Sequence, residues 1–424
     1  MKWLYLILFV GIVSGCTRYE SLSQNQLTSI QIIDRNGFKE TISSPERLKC
    51  YQHTNFCTSQ PYEKVTRVYM RNVQGKTPSK LTTYHSNGGP QQYLEVVNGR
   101  ACGIYREWHE NGKLRLELSV IEGVGDLSAE AQLSWIFDGY SYALDDQGCL
   151  LAEMYYEKGN LQGPALYFHP NGKLSKSIPY EKNVIDGKIL YYDFNGMLIG
   201  ETPYIRGEKH GLALFKGDSA TPPYSEEYRD DLLIEATYHD FSGNVIAKVE
   251  KEYGRKAIFD NGKLAYIQEY KKGYPEGEVQ KFDEKGCLES IYHIKNGVKH
   301  GEEWVYYPLH NEERYQAKLY LQWNNEIIQG IVRSWYPNGV LESEREMYDN
   351  CKHGTSSAWY CDGSLMMVEE YENDQLFRGT YMKKGSMEPI SSVANGEGVA
   401  TLYDAEGVFI KRIVYKKGYP VDGV

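Results

Sequence analysis

The chain has 424 residues, a formal charge of −10 and 41% hydrophobic residues. The acidic excess is diffuse and no basic run interrupts it, which argues against nucleic acid as a partner. Tyrosine stands out at 37 copies against 12 Phe and 7 Trp, a composition suited to half-buried strands, where one end of the ring is apolar and the other wet.

The first element is an export signal. Met1-Lys2 is a minimal basic start, and Trp3 to Val13 is an apolar stretch too short to span a bilayer comfortably. Ser14-Gly15-Cys16 follows and resembles a bacterial lipobox, with small residues before the cysteine and Val13 where Leu is commonest. The resemblance implies cleavage before Cys16 and lipidation of that residue. The alternative is an ordinary signal peptide with a chance cysteine. Thr17, in place of the Asp that retains lipoproteins at the inner membrane, favours the outer membrane if the cell is diderm. Residues 1–16 are thus the signal and lipobox, and residues 17–60 a tether and small N-terminal segment. Within that segment, Ile32 to Ile42 reads as a hairpin around Asn36-Gly37. Seven cysteines remain after Cys16, an odd number that excludes a fully paired monomer. Cys50 and Cys57, close in sequence and ahead of the regular repeats, are the expected disulfide.

From about residue 61 the chain is an array with a period of about 24 residues. Each copy runs from a Gly through a short strand to an aromatic, then Asn-Gly-x-Leu, a second strand and Lys-x-x-Gly. The turn is Asn87-Gly88, Asn111-Gly112, Asn171-Gly172, Asn195-Gly196, Asn261-Gly262 and Asn338-Gly339. It predicts one β-hairpin per repeat, with a three-residue loop whose Gly takes the left-handed conformation. Three residues before the turn Asn position stands an aromatic: Tyr84, Trp108, Phe168, Tyr192, Phe282, Trp335, Trp359 and Tyr403. Three residues after it, Leu recurs, as at Leu114, Leu174, Leu288 and Leu341. A loop centred on the Asn sets the two opposite each other. By strict alternation, Tyr180, Tyr204, Tyr270 and Tyr371 fall on that same face, and Glu117, Glu201 and Glu344 on the other. The aromatic stripe has two readings, a core that holds hairpins together or a platform of rings for a ligand.

Three stretches break the period: 121–140, with a short helical insertion from Asp126 to Trp135; 216–235, around Thr221-Pro222-Pro223; and 308–329. They leave a first array at 61–235 and a second at 236–424, the latter with no evident cap at its C-terminal end. The fold class is therefore all-β, an elongated antiparallel sheet or solenoid of stacked hairpins, in which each unit touches only its neighbours. Nucleophile elbows, phosphate loops, HExxH and dinucleotide fingerprints are missing from the sequence. The His residues that recur, His85, His109 and His169 near the turn and His210, His300 and His353 before a junction Gly, stand about 10 Å from their equivalents. A zinc ion needs each ligand at about 2 Å. No catalytic residue, metal or cofactor is nominated, and the chain reads as a non-enzyme.

The string Gly-x-x-x-x-Tyr-x-x-Asn-Gly-Lys-Leu followed by Tyr-x-x-Gly-x-x-x-Gly resembles the bacterial MORN-like repeat, best known in the YwqK antitoxin-like family. Residues 163–211 carry it through Tyr167-Phe168, Asn171-Gly172-Lys173-Leu174, Tyr180 and Gly187, then Tyr191-Tyr192, Asn195-Gly196, Leu198 and Tyr204. The resemblance runs over roughly residues 80–424. It implies an elongated sheet of the kind that scaffolds proteins or contacts membranes. Together with the lipobox it leads to an expected lipid-anchored protein of the bacterial cell envelope, a non-catalytic binding or scaffolding surface for a protein or glycan. The rival expectation is an antitoxin or immunity protein that neutralises a partner toxin.

Overall fold

In a computed structural model the described residues are 25–219, 221–308 and 315–421. The export signal and Cys16 lie outside them. Antiparallel strands pair with near neighbours in sequence throughout, and among the described residues helix occurs only at Pro45–Tyr51 and Ala129–Gln132. The all-β sheet of hairpins is what the repeat predicts. The chain forms two compact units, one ending at Leu198 and one beginning at Ile199.

The hairpin of Gly163–Phe168 and Leu174–Glu181 shows the repeat's grammar. His169 and Lys173 close the loop through a backbone hydrogen bond of 2.8 Å, and Pro170-Asn171-Gly172 forms the loop itself. Gly172 has φ +78, the left-handed residue that a type I turn plus bulge demands. Phe168 stands opposite Leu174, as Trp108 does to Leu114, Phe282 to Leu288, Trp335 to Leu341 and Trp359 to Leu365. The cross-strand pairing expected from sequence is therefore present.

The assignment of faces is not. Beyond the Phe168–Leu174 pair the register slips, so that Tyr167 faces Lys176 and Ser175 is an extra, bulged residue. A one-residue slip exchanges the faces of a strand. Tyr180 consequently lies opposite Gly163, on the face of Ala165 and Ile178, which are 2% and 8% exposed. Phe168 shares the other face with Leu166 and Ser177. In the second unit the same slip places Tyr371 across from Gly354, away from Trp359. It sets Glu344 against Arg333 on the face of Trp335, and in the first unit Glu117 against Arg106 on the face of Trp108. Strict alternation fails because it does not count the bulge.

A second turn closes each repeat at its other end, so the repeat holds two hairpin turns and not one. Lys182 and Asn183 have φ of 51 and 68, a two-residue type I′ turn. The same pair of positive angles recurs at Asp230-Asp231, Asn325-Glu326, Asp349-Asn350 and Asn373-Asp374. Asn98-Gly99, Asn296-Gly297 and Asn395-Gly396 occupy equivalent turns and were the signal available in sequence. The junction Gly that follows answers to geometry too. Gly330 has φ +109, and the Gln322 carboxamide oxygen of the preceding strand accepts from the next backbone N–H, Ile331, at 2.8 Å.

In the first unit, Gln26–Asp34 and Lys39–Ile42 form the hairpin expected around Gly37, and the strand Glu63–Arg71 pairs beside it. Ile30, Ile42, Leu48 and Val68 pack the helix Pro45–Tyr51 onto these strands. On the next strands Leu94, Tyr105, Leu118 and Val120 are covered by Trp135 of the insertion, whose ring meets Tyr105 edge-on at 4.9 Å. In the second unit, one core gathers Tyr228, Leu233, Tyr238 and Val249, and another Leu376, Tyr381, Val393 and Ala400.

Candidate binding face

The pre-turn aromatics do not share one environment. Tyr84 is 6% exposed, and its hydroxyl donates to the Phe56 carbonyl at 2.7 Å and meets Thr66 Oγ1 at 3.0 Å, so it belongs to the N-terminal core. Trp108, Phe168, Tyr192, Phe282, Trp335, Trp359 and Tyr403 are half-buried. Trp335 lies parallel to Trp304, with ring centroids 5.9 Å apart, and Trp304 meets Tyr320 at 4.6 Å. Tyr403 meets Phe409 edge-on at 6.1 Å. Around these rings stand paired charges, Arg106 with Glu117 at 2.6 Å and Arg333 with Glu344 at 2.6 Å. In the first unit a tyrosine trio lies on the same side as Trp108. Tyr140 is 55% exposed and lies 5.0 Å from Tyr155 and 6.2 Å from Tyr142. Such a face offers flat apolar rings alternating with fixed hydrogen-bonding groups.

What holds the face in register is a set of clips between successive turns. Asn171 Nδ2 donates to the Phe194 carbonyl at 2.6 Å, and Asn338 Nδ2 to the Cys361 carbonyl at 2.9 Å. His85 and His169 donate through Nε2 to the carbonyls of Trp108 and Tyr192, at 2.9 and 3.0 Å, and the Tyr336 hydroxyl does the same to Trp359 at 2.8 Å. The residue next to the aromatic therefore fixes the backbone of the following aromatic. Sequence reading places these His residues as polar turn positions; their reach to the next repeat needs the fold.

Buried carboxylates were not singled out from sequence. Glu226, 6% exposed, accepts from Tyr228 at 2.8 Å and Tyr238 at 2.6 Å, and pairs with Lys256 at 2.6 Å. Glu369 accepts from Tyr371 at 3.0 Å and Tyr381 at 2.8 Å. Glu303 takes Lys299 at 2.8 Å and Trp323 Nε1 at 2.7 Å. Burial pushes the Glu226 carboxyl up, but Lys256 and the two phenols outweigh it and hold the group below the usual carboxylate range. Burial and the Glu226 charge push the phenols of Tyr228 and Tyr238 up. These shifts keep the acid ionised and the phenols protonated near neutral pH. The signal in sequence was Glu two residues from Tyr, Glu226-Glu227-Tyr228 and Glu369-Glu370-Tyr371, on one side of a strand.

The expected Cys50–Cys57 bridge is not formed in the structure. The exposed Cys50 thiol points to the Glu46 carbonyl at 3.9 Å, and burial raises the pKa of the half-buried Cys57.

A family model described as a MORN repeat variant matches residues 101–121, 161–182 and 328–350. The chain carries MORN-variant repeats. Each matched stretch takes in one bulged hairpin, with the aromatic–Leu pair at its loop. A bulged hairpin of the same geometry recurs outside the matched stretches, where Phe282 faces Leu288. No curated protein matches the chain. Among solved structures, the Tc holotoxin pore of Photorhabdus luminescens is similar over 92% of this chain and 27% of that one, at 12% identity and a TM-score of 0.15. A crystal structure of a TcdB2–TccC3–Cdc42 complex is similar over 93% and 25%, at 13% identity and a TM-score of 0.13. The chain spans about a quarter of the length of these chains, and likenesses at such scores carry no functional argument.

Proposed function

We propose that the protein is a lipid-anchored component of the bacterial cell envelope that binds a protein or glycan partner without catalysing a reaction. The supporting observation is the repeated half-buried aromatic beside an Arg–Glu pair, as at Trp108 with Arg106–Glu117 and Trp335 with Arg333–Glu344. Rigid rings flanked by oriented polar groups are the composition from which binding hot spots are built. The anchor reading rests on the apolar stretch ending in Ser14-Gly15-Cys16.

Two experiments test the two halves. Cells fed a clickable fatty acid label the wild type and not Cys16→Ser; equal labelling of both removes the anchor. A photo-crosslinking residue at Leu166 or Ser357, positions on the faces of Phe168 and Trp359, yields a discrete heavier adduct in intact cells. The same residue at Tyr167 or Met367, half-buried positions on the opposite faces, does not. Adducts of equal yield at all four positions, or at none, overturn the binding-face reading.

A further inference from the structure

Three successive loops of the second unit bring together a thiol, an amine and a carboxylate. Cys361 lies in one loop, Lys384 in the next, 23 positions on, and Glu406 in the one after, a further 22 positions on. The Cys361 sulfur accepts from the Lys384 ammonium at 3.5 Å, and its thiol donates to Glu406 Oε1 at 3.4 Å. Lys384 Nζ lies 3.4 Å from Glu406 Oε2, so the three groups close a triangle. The backbone around them is held. The Cys361 N–H donates to the Ala405 carbonyl at 3.3 Å, Asn338 clips the Cys361 carbonyl at 2.9 Å, and the buried Tyr360 donates its hydroxyl to the Met382 carbonyl at 2.8 Å.

The two contacts at the sulfur are those that turn a thiol into a nucleophile: a carboxylate placed to take its proton and an ammonium placed to balance the charge left behind. Of the seven described cysteines, Cys361 alone has an ammonium as hydrogen-bond partner. Cys361 is half-buried and the Lys384 side chain 26% exposed, so a small oxidant reaches the pair. No disulfide joins the described cysteines. What an oxidised Cys361 sulfur meets is the Lys384 nitrogen.

We propose that Cys361 and Lys384 form a modification site, which a peroxide closes into a sulfenamide bridge between adjacent loops. The thiol proton passes to Glu406. The sulfur attacks one peroxide oxygen; the S–O bond forms, the O–O bond breaks, and the hydroxide released takes a proton from the Lys384 ammonium. The sulfur is thereby oxidised to a sulfenic acid and the peroxide reduced to water. Sulfenic acids condense with a neighbouring nitrogen. The free amine attacks the sulfur, the S–N bond forms, the S–O bond breaks, and the departing hydroxide leaves as water with the proton held by Glu406. The nitrogen sheds its surplus proton to solvent. Thiol, ammonium and one peroxide thus give the bridge, two waters and a proton. The bridge makes covalent a tie between loops that His169 and Asn171 make elsewhere by hydrogen bonds.

The test is a tryptic mass map of the full chain in detergent after treatment with hydrogen peroxide. Cleavage at Arg378 and Lys383 separates the Cys361 peptide from the Lys384 peptide. After oxidation the two run as one species, two hydrogen atoms lighter than their sum, and dithiothreitol parts them. Lys384→Arg keeps the positive charge but offers a poor nucleophile, so the joined species is lost and dimedone labels Cys361 instead. Lys383→Arg, one residue away, retains the bridge. In the wild type, oxidation slows hydrogen exchange in residues 365–372 and 375–382, the strands that the bridge encloses, and dithiothreitol restores it. That readout stands even if the arginine variant fails to fold. A Cys361 that stays a thiol, passes on to a sulfinic acid or pairs with another cysteine, a bridge that survives Lys384→Arg, or exchange unaltered by oxidation each overturns the assignment.

Discussion

Gly330→Ala isolates the reason a glycine opens the repeat. Two costs are expected. The backbone at φ +109 is one that L side chains rarely adopt, at about 1–2 kcal/mol. An added Cβ would also stand 2.0 Å from Gln322 Oε1, the atom that caps the Ile331 N–H. Gln322 is flexible and swings away, so the second cost is the lost cap, about 1 kcal/mol. The sum is about 2–3 kcal/mol. The chain contains its own control. Gly301 has φ +94, but the nearest atom to its would-be Cβ is His293 Cβ at 3.8 Å, so Gly301→Ala carries only the backbone cost. Hydrogen exchange of residues 319–347 for Gly330→Ala and 290–306 for Gly301→Ala reads each locally, since units of an array open separately. Exchange accelerates roughly 30- to 150-fold at the first site and 5- to 30-fold at the second. In a Gln322→Ala background the Gly330→Ala penalty falls to that of Gly301→Ala. Equal penalties at both sites, or a Gly330 penalty unchanged by loss of Gln322, would refute the capping argument.

Three more predictions follow from turn, face and core. Glu326→Gly stabilises the Asn325-Glu326 turn by about 0.5–1 kcal/mol, because Glu326 sits at φ 66 where Gly is unstrained; a lower melting temperature would count against the type I′ assignment. Trp335→Ala costs about 2 kcal/mol, above the worth of a stacked pair alone and below the 3–5 kcal/mol of a fully buried ring, because Trp335 is half-buried against Trp304. Denaturation followed by local exchange decides whether the loss stays within residues 304–365. Above pH about 10 the protein loses stability steeply: burial and then Glu226 or Glu369 hold the phenols of Tyr228, Tyr238, Tyr371 and Tyr381 protonated in the fold, while the unfolded chain ionises near 10. Their stability is fully present below that pH and declines as it rises, since the unfolded state then binds fewer protons. Tyrosinate absorbance should rise in two phases, the later one with loss of sheet signal; a single phase near pH 10 on a folded protein would contradict it.

The bulged turn was legible from sequence because its determinants are local. Asn171-Gly172 fixes the loop, the loop fixes the Phe168–Leu174 pair, and no distant residue is consulted. Alternation beyond that pair was read wrongly because the bulge at Ser175 is a property of two strands together, invisible in either one. The type I′ turns were missed where Lys182-Asn183 or Asn325-Glu326 replaces Asn-Gly, since strand pairing on either side forces those residues into a conformation they do not choose alone. The His85 and Asn171 clips join residues 23 positions apart, and the Glu226–Tyr238 contact joins residues 12 apart. By itself the sequence determined the period, the strand class and the loop geometry, which are set by short-range backbone preference and hydrophobic patterning. Only the tertiary structure decided which side of each strand faces the core and where a ligand could sit, because both depend on register, and register is an agreement between strands.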